Sequence, residues 1–265
     1  MPTQAILTPG ARRLSNTSGG VHATLHGQLV MADGSAQIGY IKLLPQRRLI
    51  NELLANQLAK SLGFSVPDAF VVLVPSRHYQ ALFAELQIQD KDVVAFGSSQ
   101  APGQMLAQAF DFSDAHVMSR FVTSNKCWQA VAHFDCLVAN TDRHLKNVVF
   151  DPLARFWLID HDQAFGQELS VDALNPLQPS LNRLLNIFEG ALSLRLKHEL
   201  VDTALKFEAL TAVLDMSHVA YLSWISAFAT TPEVEALVLY LEQRRALIGQ
   251  LLAAQVGVQL LPFLP

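Results

Sequence analysis

The stretch that decides the fold is His133-Phe134-Asp135-Cys136-Leu137-Val138-Ala139-Asn140-Thr141-Asp142-Arg143-His144-Leu145-Lys146-Asn147, followed by Phe156-Trp157-Leu158-Ile159-Asp160-His161-Asp162. Asp142 and Asn147 are separated by four residues, and Asp160 lies thirteen residues beyond Asn147 at the end of an apolar run. Between them, Val148-Val149-Phe150 and Phe156-Trp157-Leu158-Ile159 flank Asp151-Pro152-Leu153-Ala154-Arg155, which predicts a β-hairpin. A hairpin there would fold Asn147 and Asp160 back to one point. Taken singly, each residue has a plainer reading: Asn140-Thr141-Asp142 as an Asx-turn, His144 as a core histidine, Asp160-His161-Asp162 as a strand end.

The joint pattern suits phosphoryl transfer. That chemistry needs a base beside the acceptor hydroxyl, oxygen ligands for magnesium, and a cation on the phosphates. Asp142 is the candidate base, and Asn147 and Asp160 are the candidate Mg2+ ligands.

Upstream, a lysine and a glutamate fit the same scheme. Ile38-Gly39-Tyr40-Ile41-Lys42 reads as a strand ending in a lysine suited to the α- and β-phosphates. Ile50, Leu53, Leu54, Gln57, Leu58 and Leu62 recur at helical steps, with Gly63 closing the helix. Glu52 lies on that helix ten residues after Lys42, within reach of an ion pair. Ser18-Gly19-Gly20 falls between two strand-like runs, where backbone N–H groups could cradle phosphates. A Walker-type loop is absent.

Asn-Thr-Asp-Arg-His-x-x-Asn followed by Leu-Ile-Asp-His-Asp-x-Ala-Phe resembles the HipA-like kinases, and more distantly the type II phosphatidylinositol 4-kinases. The resemblance centres on 133–166 and extends back weakly to about residue 12. It implies an α+β, two-lobed protein-kinase-like fold: a small N-lobe with an antiparallel sheet and one helix, and a larger, mainly helical C-lobe. It implies ATP and Mg2+, with Asp142 as catalytic aspartate and Asn147 and Asp160 as metal ligands. His144 and Asp162 would stand behind them; related sequences often carry Gly at the position of Asp162. It also implies that Val93 to Gln100, with Phe96-Gly97-Ser98 inside it, forms the strand and hinge between the lobes and faces the adenine, and it implies self-phosphorylation candidates at Ser15, Thr17 and Ser18. Because the longer HipA proteins carry a further N-terminal region, the resemblance implies a compact form here. The expected boundaries are one kinase-like domain over 1–265, with an N-lobe at 12–100 and a C-lobe at 101–265.

The rest of the chain gives several further expectations. Residues 1–11 read as a loose leader, 69–74 and 93–96 as strands, and 97–100 as a linker. Residues 181–256 read as three or four amphipathic helices, one opened by Pro232, and 216–233 as buried helix rather than a membrane span. A hydrophobic content of 51% with 16% charged residues predicts a sizeable core. A net charge of −4 gives no pull toward nucleic acid or acidic membranes. Cys127 and Cys136 suit neither a disulfide framework nor a CxxC metal site and read as buried thiols, pointing to the cytoplasm.

The leading expectation is therefore an ATP-dependent kinase acting on a protein Ser/Thr hydroxyl, with an antitoxin-like regulator as a candidate partner. The alternatives are a lipid or small-molecule kinase, a pseudokinase binding module, and a metal-dependent hydrolase built on His144, Asp160, His161 and Asp162.

Overall fold

A computed structural model describes residues 1–14, 23–83, 91–166 and 173–259. Ser15, Thr17, Ser18, Gly19 and Gly20 lie outside the described residues.

The first hundred residues build a six-stranded sheet. Its strands are β1 (Thr3–Leu7), β2 (Arg12–Arg13), β3 (Thr24–Met31), β4 (Ala36–Lys42), β5 (Ala69–Val74) and β6 (Val93–Ser99), in the order β1-β5-β6-β4-β3-β2. The segment 1–11 is thus not a loose leader, because β1 pairs with β5 on one side and β3 on the other. Leu7 is fully buried there, together with Leu25, Leu29, Ile41 and Val72. The sheet is not wholly antiparallel either, since β1 runs parallel to β5.

Two helices accompany this sheet, where one was expected. The short α2 (Ser76–Leu82) follows β5. The other, α1 (Gln46–Ser61), is buried at every position from Leu49 to Ala59. A helix buried all round packs against structure on several sides. Leu49, Leu53, Leu54 and Leu58 join the larger core, which is otherwise made mainly by the following helices.

Beyond Ser99 the chain forms β7 (Gln104–Met105), α3 (Leu106–Ala109), α4 (Ala115–Ser124) and α5 (Cys127–Leu137). The expected hairpin is present as β8 (Val148–Phe150) and β9 (Phe156–Leu158), in register Val148↔Leu158. Pairing with β7 makes it a three-stranded sheet. Gly103 precedes β7 with φ +108°, and a Cβ there would lie 2.3 Å from the Phe150 carbonyl oxygen, so only glycine allows this approach.

Five α-helices complete the fold, more than the three or four expected: α6 (Arg183–Phe188), α7 (Leu194–Ala212), α8 (Met216–Leu222), α9 (Thr231–Arg245) and α10 (Ile248–Val256). Four of them start at side-chain caps: Asn182 before α6, Ser193 before α7, Asp215 before α8, and a Thr230/Glu233 capping box with Pro232 opening α9. The run 216–233 is not one helix. Trp224 adopts φ 61°, which interrupts the helical path; a short 3-10 turn at Ile225–Ala227 follows, and the chain re-enters α-helix only at Thr231. Only one cysteine is buried: Cys127 is exposed, whereas burial pushes the Cys136 thiol up to about 12.

His133 on α5 couples this core to pH. It is 3% exposed and donates through Nε2 to the Leu200 carbonyl at 2.9 Å. Burial lowers its pKa to about 4. The unfolded chain binds a proton near its ordinary pKa of about 6.5, and the folded chain does so only near 4. The stabilisation is therefore complete above about pH 6.5 and is lost as pH falls toward 4. At pH 5 the expected loss is roughly 2 kcal/mol relative to pH 7. Urea unfolding at the two pH values should show it, and His133→Gln should lose less stability on acidification; equal losses would refute the assignment.

Candidate active site

Helix α5 ends in a turn that launches the decisive loop. Ala139 sits in the left-handed region at φ 51°. The Asn140 N–H donates to the Asp135 carbonyl at 2.9 Å and the Ala139 N–H to the Cys136 carbonyl at 3.3 Å, the paired bonds of a Schellman motif. Asn140 then makes the expected Asx-turn: its Oδ1 accepts from the Asp142 N–H at 3.1 Å.

Arg143, fully buried, holds the loop from inside. Its Nε lies 3.2 Å from both Asp135 carboxylate oxygens. Nη1 donates to the Asn147 carbonyl at 3.0 Å and also to the Ile159 carbonyl. Nη2 donates at 2.9 Å to Nδ1 of His161, which burial and the Arg143 charge keep neutral. One guanidinium thus ties α5, the Asp142–Asn147 loop and the segment after β9. The hairpin register continues past β9, with the Ile159 N–H on the Asn147 carbonyl at 3.2 Å. Asn147 and Asp160 are thereby brought together, as their spacing suggests.

Lys42 and Glu52 arrive from the sheet and α1. Lys42 Nζ lies 2.7 Å from Glu52 Oε1 and 2.7 Å from Asp160 Oδ1, joining residues 118 positions apart. The other Glu52 oxygen accepts the His161 N–H at 2.9 Å. Burial opposes the lysine charge, yet Asp160 and Glu52 hold its pKa above the usual range. Burial also opposes ionisation of Asp160, but Lys42 outweighs it and lowers that carboxyl. Burial raises Glu52 despite Lys42, and burial with the Asp160 charge raises Asp162. Asp160 itself has φ 63°, a costly conformation for a non-glycine residue that the surrounding bonds impose.

Helix α1 supplies contacts that the pattern of apolar residues did not reveal. Asn51 Nδ2 donates to the carbonyls of Asp162 at 2.9 Å and Ala164 at 2.8 Å. Arg48 pairs with the Asp162 carboxylate at 3.2 Å, and Arg47 donates to the Phe165 carbonyl at 2.9 Å. Asp162 therefore helps to dock α1 on the segment after Asp160. His144 keeps a buried Nδ1 without a hydrogen-bond partner.

The Asn147 amide nitrogen donates to the Asp142 carbonyl at 3.0 Å, so its Oδ1 is not used in that bond. Asp160 gives Oδ1 to Lys42 and keeps Oδ2. Carboxylate and amide oxygens are the donors magnesium takes, so this set fits that ion. No cluster of three His, Cys, Asp or Glu side chains suited to a metal occurs among the described residues.

The expected linker at 97–100 needs correction, because β6 extends to Ser99. Phe96, Gly97 and Ser98 lie within β6, paired with β4 through Lys42↔Phe96 and with β5 through Val71↔Phe96. Flanked by strands on both sides, their backbone is committed to the sheet. Gly97 answers packing: a Cβ there would meet Val72 Cγ2 at 2.5 Å. The chain leaves the sheet only at Gln100.

Arg183, the first residue of α6, was not foreseen. Its Nη1 pairs with Asp142 Oδ1, and both side chains are partly exposed. It lies 41 residues beyond Asp142 with no local pattern connecting the two.

The sequence model of the HipA-like kinases matches residues 33–175, and the chain belongs to that family. It is accordingly a kinase. Among solved structures it is similar to the Helicobacter pylori proinflammatory kinase CtkA, with 13% identity and a TM-score of 0.52 over 88% of this chain and 94% of that one. CtTel1, in its C2-symmetric dimer, matches with 12% identity and a TM-score of 0.37 over 93% of this chain and 12% of that one. No curated protein matches.

Proposed function

We propose that this kinase is an ATP- and Mg2+-dependent phosphotransferase whose acceptor is a Ser/Thr hydroxyl of a protein. The observation that carries the reading is the ion-paired set Lys42–Glu52–Asp160, with both Lys42 contacts at 2.7 Å, beside the Asp142–Asn147 loop. Preassembled charge of this kind suits a reaction whose catalysis rests on positioning and neutralisation. The protein acceptor is inferred from membership in the HipA-like family.

In this reading the sheet and α1 form an N-lobe that extends from β1 to Ser99, and the remainder is the helical C-lobe. Lys42 meets the α- and β-phosphates, and Glu52 holds it. Asn147 and Asp160 hold magnesium, which when bound neutralises charge on the phosphates. Asp142 takes the proton of the acceptor hydroxyl. Ser18, Gly19 and Gly20 are the candidates to bind the phosphates through backbone N–H groups, and the adenine lies near the chain leaving β6. His144 supports the loop from behind. Among the described residues no helix is long and apolar enough to cross a membrane.

Calorimetry of ATP binding with Mg2+ and with EDTA tests the reading. The unaltered protein should bind ATP in a Mg2+-dependent manner and turn it over. Asp160→Ala should lose the metal dependence of binding. Failure of the unaltered chain to bind ATP would overturn the proposal, and binding without turnover would favour a pseudokinase.

A further inference from the structure

We propose that Arg183 is a further catalytic residue, one that contacts the transferring phosphoryl group while holding Asp142. The inference rests on the phosphotransferase reading above.

All lysines and arginines of the chain lie in the described residues. Four of them make side-chain hydrogen bonds or ion pairs with the residues assigned to the reaction, while Lys146, inside the loop, has an exposed side chain. Lys42 is pinned between Glu52 and Asp160. Arg143 is fully buried, and its nitrogens are spent on Asp135, two carbonyls and His161. Arg48 is held at Asp162, away from the loop. Arg183 is the cation on the Asp142 carboxylate, and its side chain is 47% exposed.

Only Nη1 of Arg183 engages Asp142, through Oδ1. A guanidinium carries five donors in a planar fork, so Nη2 and Nε stay available to an anion. Asp142 keeps Oδ2 for the acceptor hydroxyl. An oxygen hydrogen-bonded to Asp142 and poised on phosphorus places the γ-phosphoryl oxygens next to the same guanidinium.

The backbone that carries Arg183 is tied down on both sides. Asn182, 1% exposed, donates to the Ala132 carbonyl of α5 at 2.9 Å and caps α6 through Leu185 N–H at 3.3 Å. Leu184, Leu185 and Phe188 are buried below. Just upstream, fully buried Arg244 donates to the carbonyls of Pro176 at 2.9 Å and Gln178 at 3.0 Å and to Ser180 Oγ at 2.8 Å. A surface arginine serving solubility alone would need no such footing.

The step then balances. The acceptor oxygen forms its bond to the γ-phosphorus as the bond from that phosphorus to the β,γ-bridging oxygen breaks. The hydroxyl proton passes to Asp142, and ADP leaves with the electron pair. Arg183 adds only hydrogen bonds and charge to the equatorial oxygens, where charge is spread in the transition state.

The test compares unaltered protein with Arg183→Ala and Arg183→Lys, using Mg·ADP with and without fluoroaluminate as probe and Mg·ATP hydrolysis as the rate. Arg183→Ala should bind Mg·ADP as the unaltered protein does. It should lose about 100-fold in rate, the usual effect of removing one transition-state donor. It should also lose the tightening that fluoroaluminate gives, and Arg183→Lys should recover part of both. An Arg183→Ala rate within about threefold of unaltered protein overturns the proposal, because one donor is expected to matter far more. A slow variant that keeps its fluoroaluminate tightening also overturns it, since Arg183 would then merely position Asp142. If Arg183→Ala does not fold, Arg183→Gln serves the same comparison. Failure of the unaltered protein to bind Mg·ATP is a different result, which removes the phosphotransferase reading itself.

Discussion

Asp142→Asn should reduce phosphoryl transfer by about a thousandfold while leaving Mg·ATP binding nearly unchanged. The isosteric amide keeps the shape of the loop. The Asp142 N–H stays on Asn140 Oδ1 at 3.1 Å and the Asp142 carbonyl stays on Asn147 Nδ2 at 3.0 Å, since both bonds use the backbone of residue 142. What is lost is the acceptor for the hydroxyl proton and the partner of Arg183. The nucleotide contacts proposed for Lys42, Asn147 and Asp160 involve other atoms, so binding should persist. Rapid-quench measurement of transfer, with calorimetry of ATP binding alongside, separates the two effects. A variant that loses binding and rate together would show that Asp142 serves the nucleotide and is no base.

Arg143→Met should destabilise the protein by about 3–5 kcal/mol, the range for breaking a buried ion pair from one side. Asp135 is fully buried, and burial already raises its pKa to about 6 against the pull of Arg143. Without the guanidinium that carboxyl must take up a proton to remain buried. The Asn147 and Ile159 carbonyls and His161 Nδ1 lose their donor as well. Methionine restores volume and none of these bonds. Urea unfolding at neutral pH gives the magnitude, and the double variant Asp135→Asn/Arg143→Met should recover part of it by removing the stranded charge. A change below about 1 kcal/mol would mean the buried arginine is dispensable, contrary to the cost of unpaired buried charge.

Much of this site was legible in the sequence because its parts are local. Asp142, Asn147 and Asp160 are joined by one hairpin, and hairpins announce themselves in the alternation of apolar residues and turn formers. Lys42 and Glu52 were legible for a similar reason: one ends a strand and the other lies within a helix whose period is plain, and only the meeting of Lys42 with Asp160 is long-range. The elements misread fail for physical reasons as well. The segment 3–7 looked like a leader because five residues carry little periodicity, and its partners β3 and β5 lie far along the chain. The stretch 97–100 reads as a linker because Gly and Ser mark loops, whereas β6 runs on to Ser99 and Gly97 lets Val72 pack against the strand.

By itself, then, the sequence determined the chemistry that is available: two carboxylates, an amide and a lysine at spacings that suit phosphoryl transfer, on elements readable from their period. Only the tertiary structure decided which side chains serve that chemistry from outside the motif. Asn51 reaches two carbonyls after Asp160, Arg143 turns inward to Asp135, and Arg183 crosses 41 residues to reach Asp142. Side-chain polar contacts of this kind depend on where packed helices bring their surfaces. Burial of apolar area sets that placement and acts without regard to sequence distance, so no local pattern of residues encodes it.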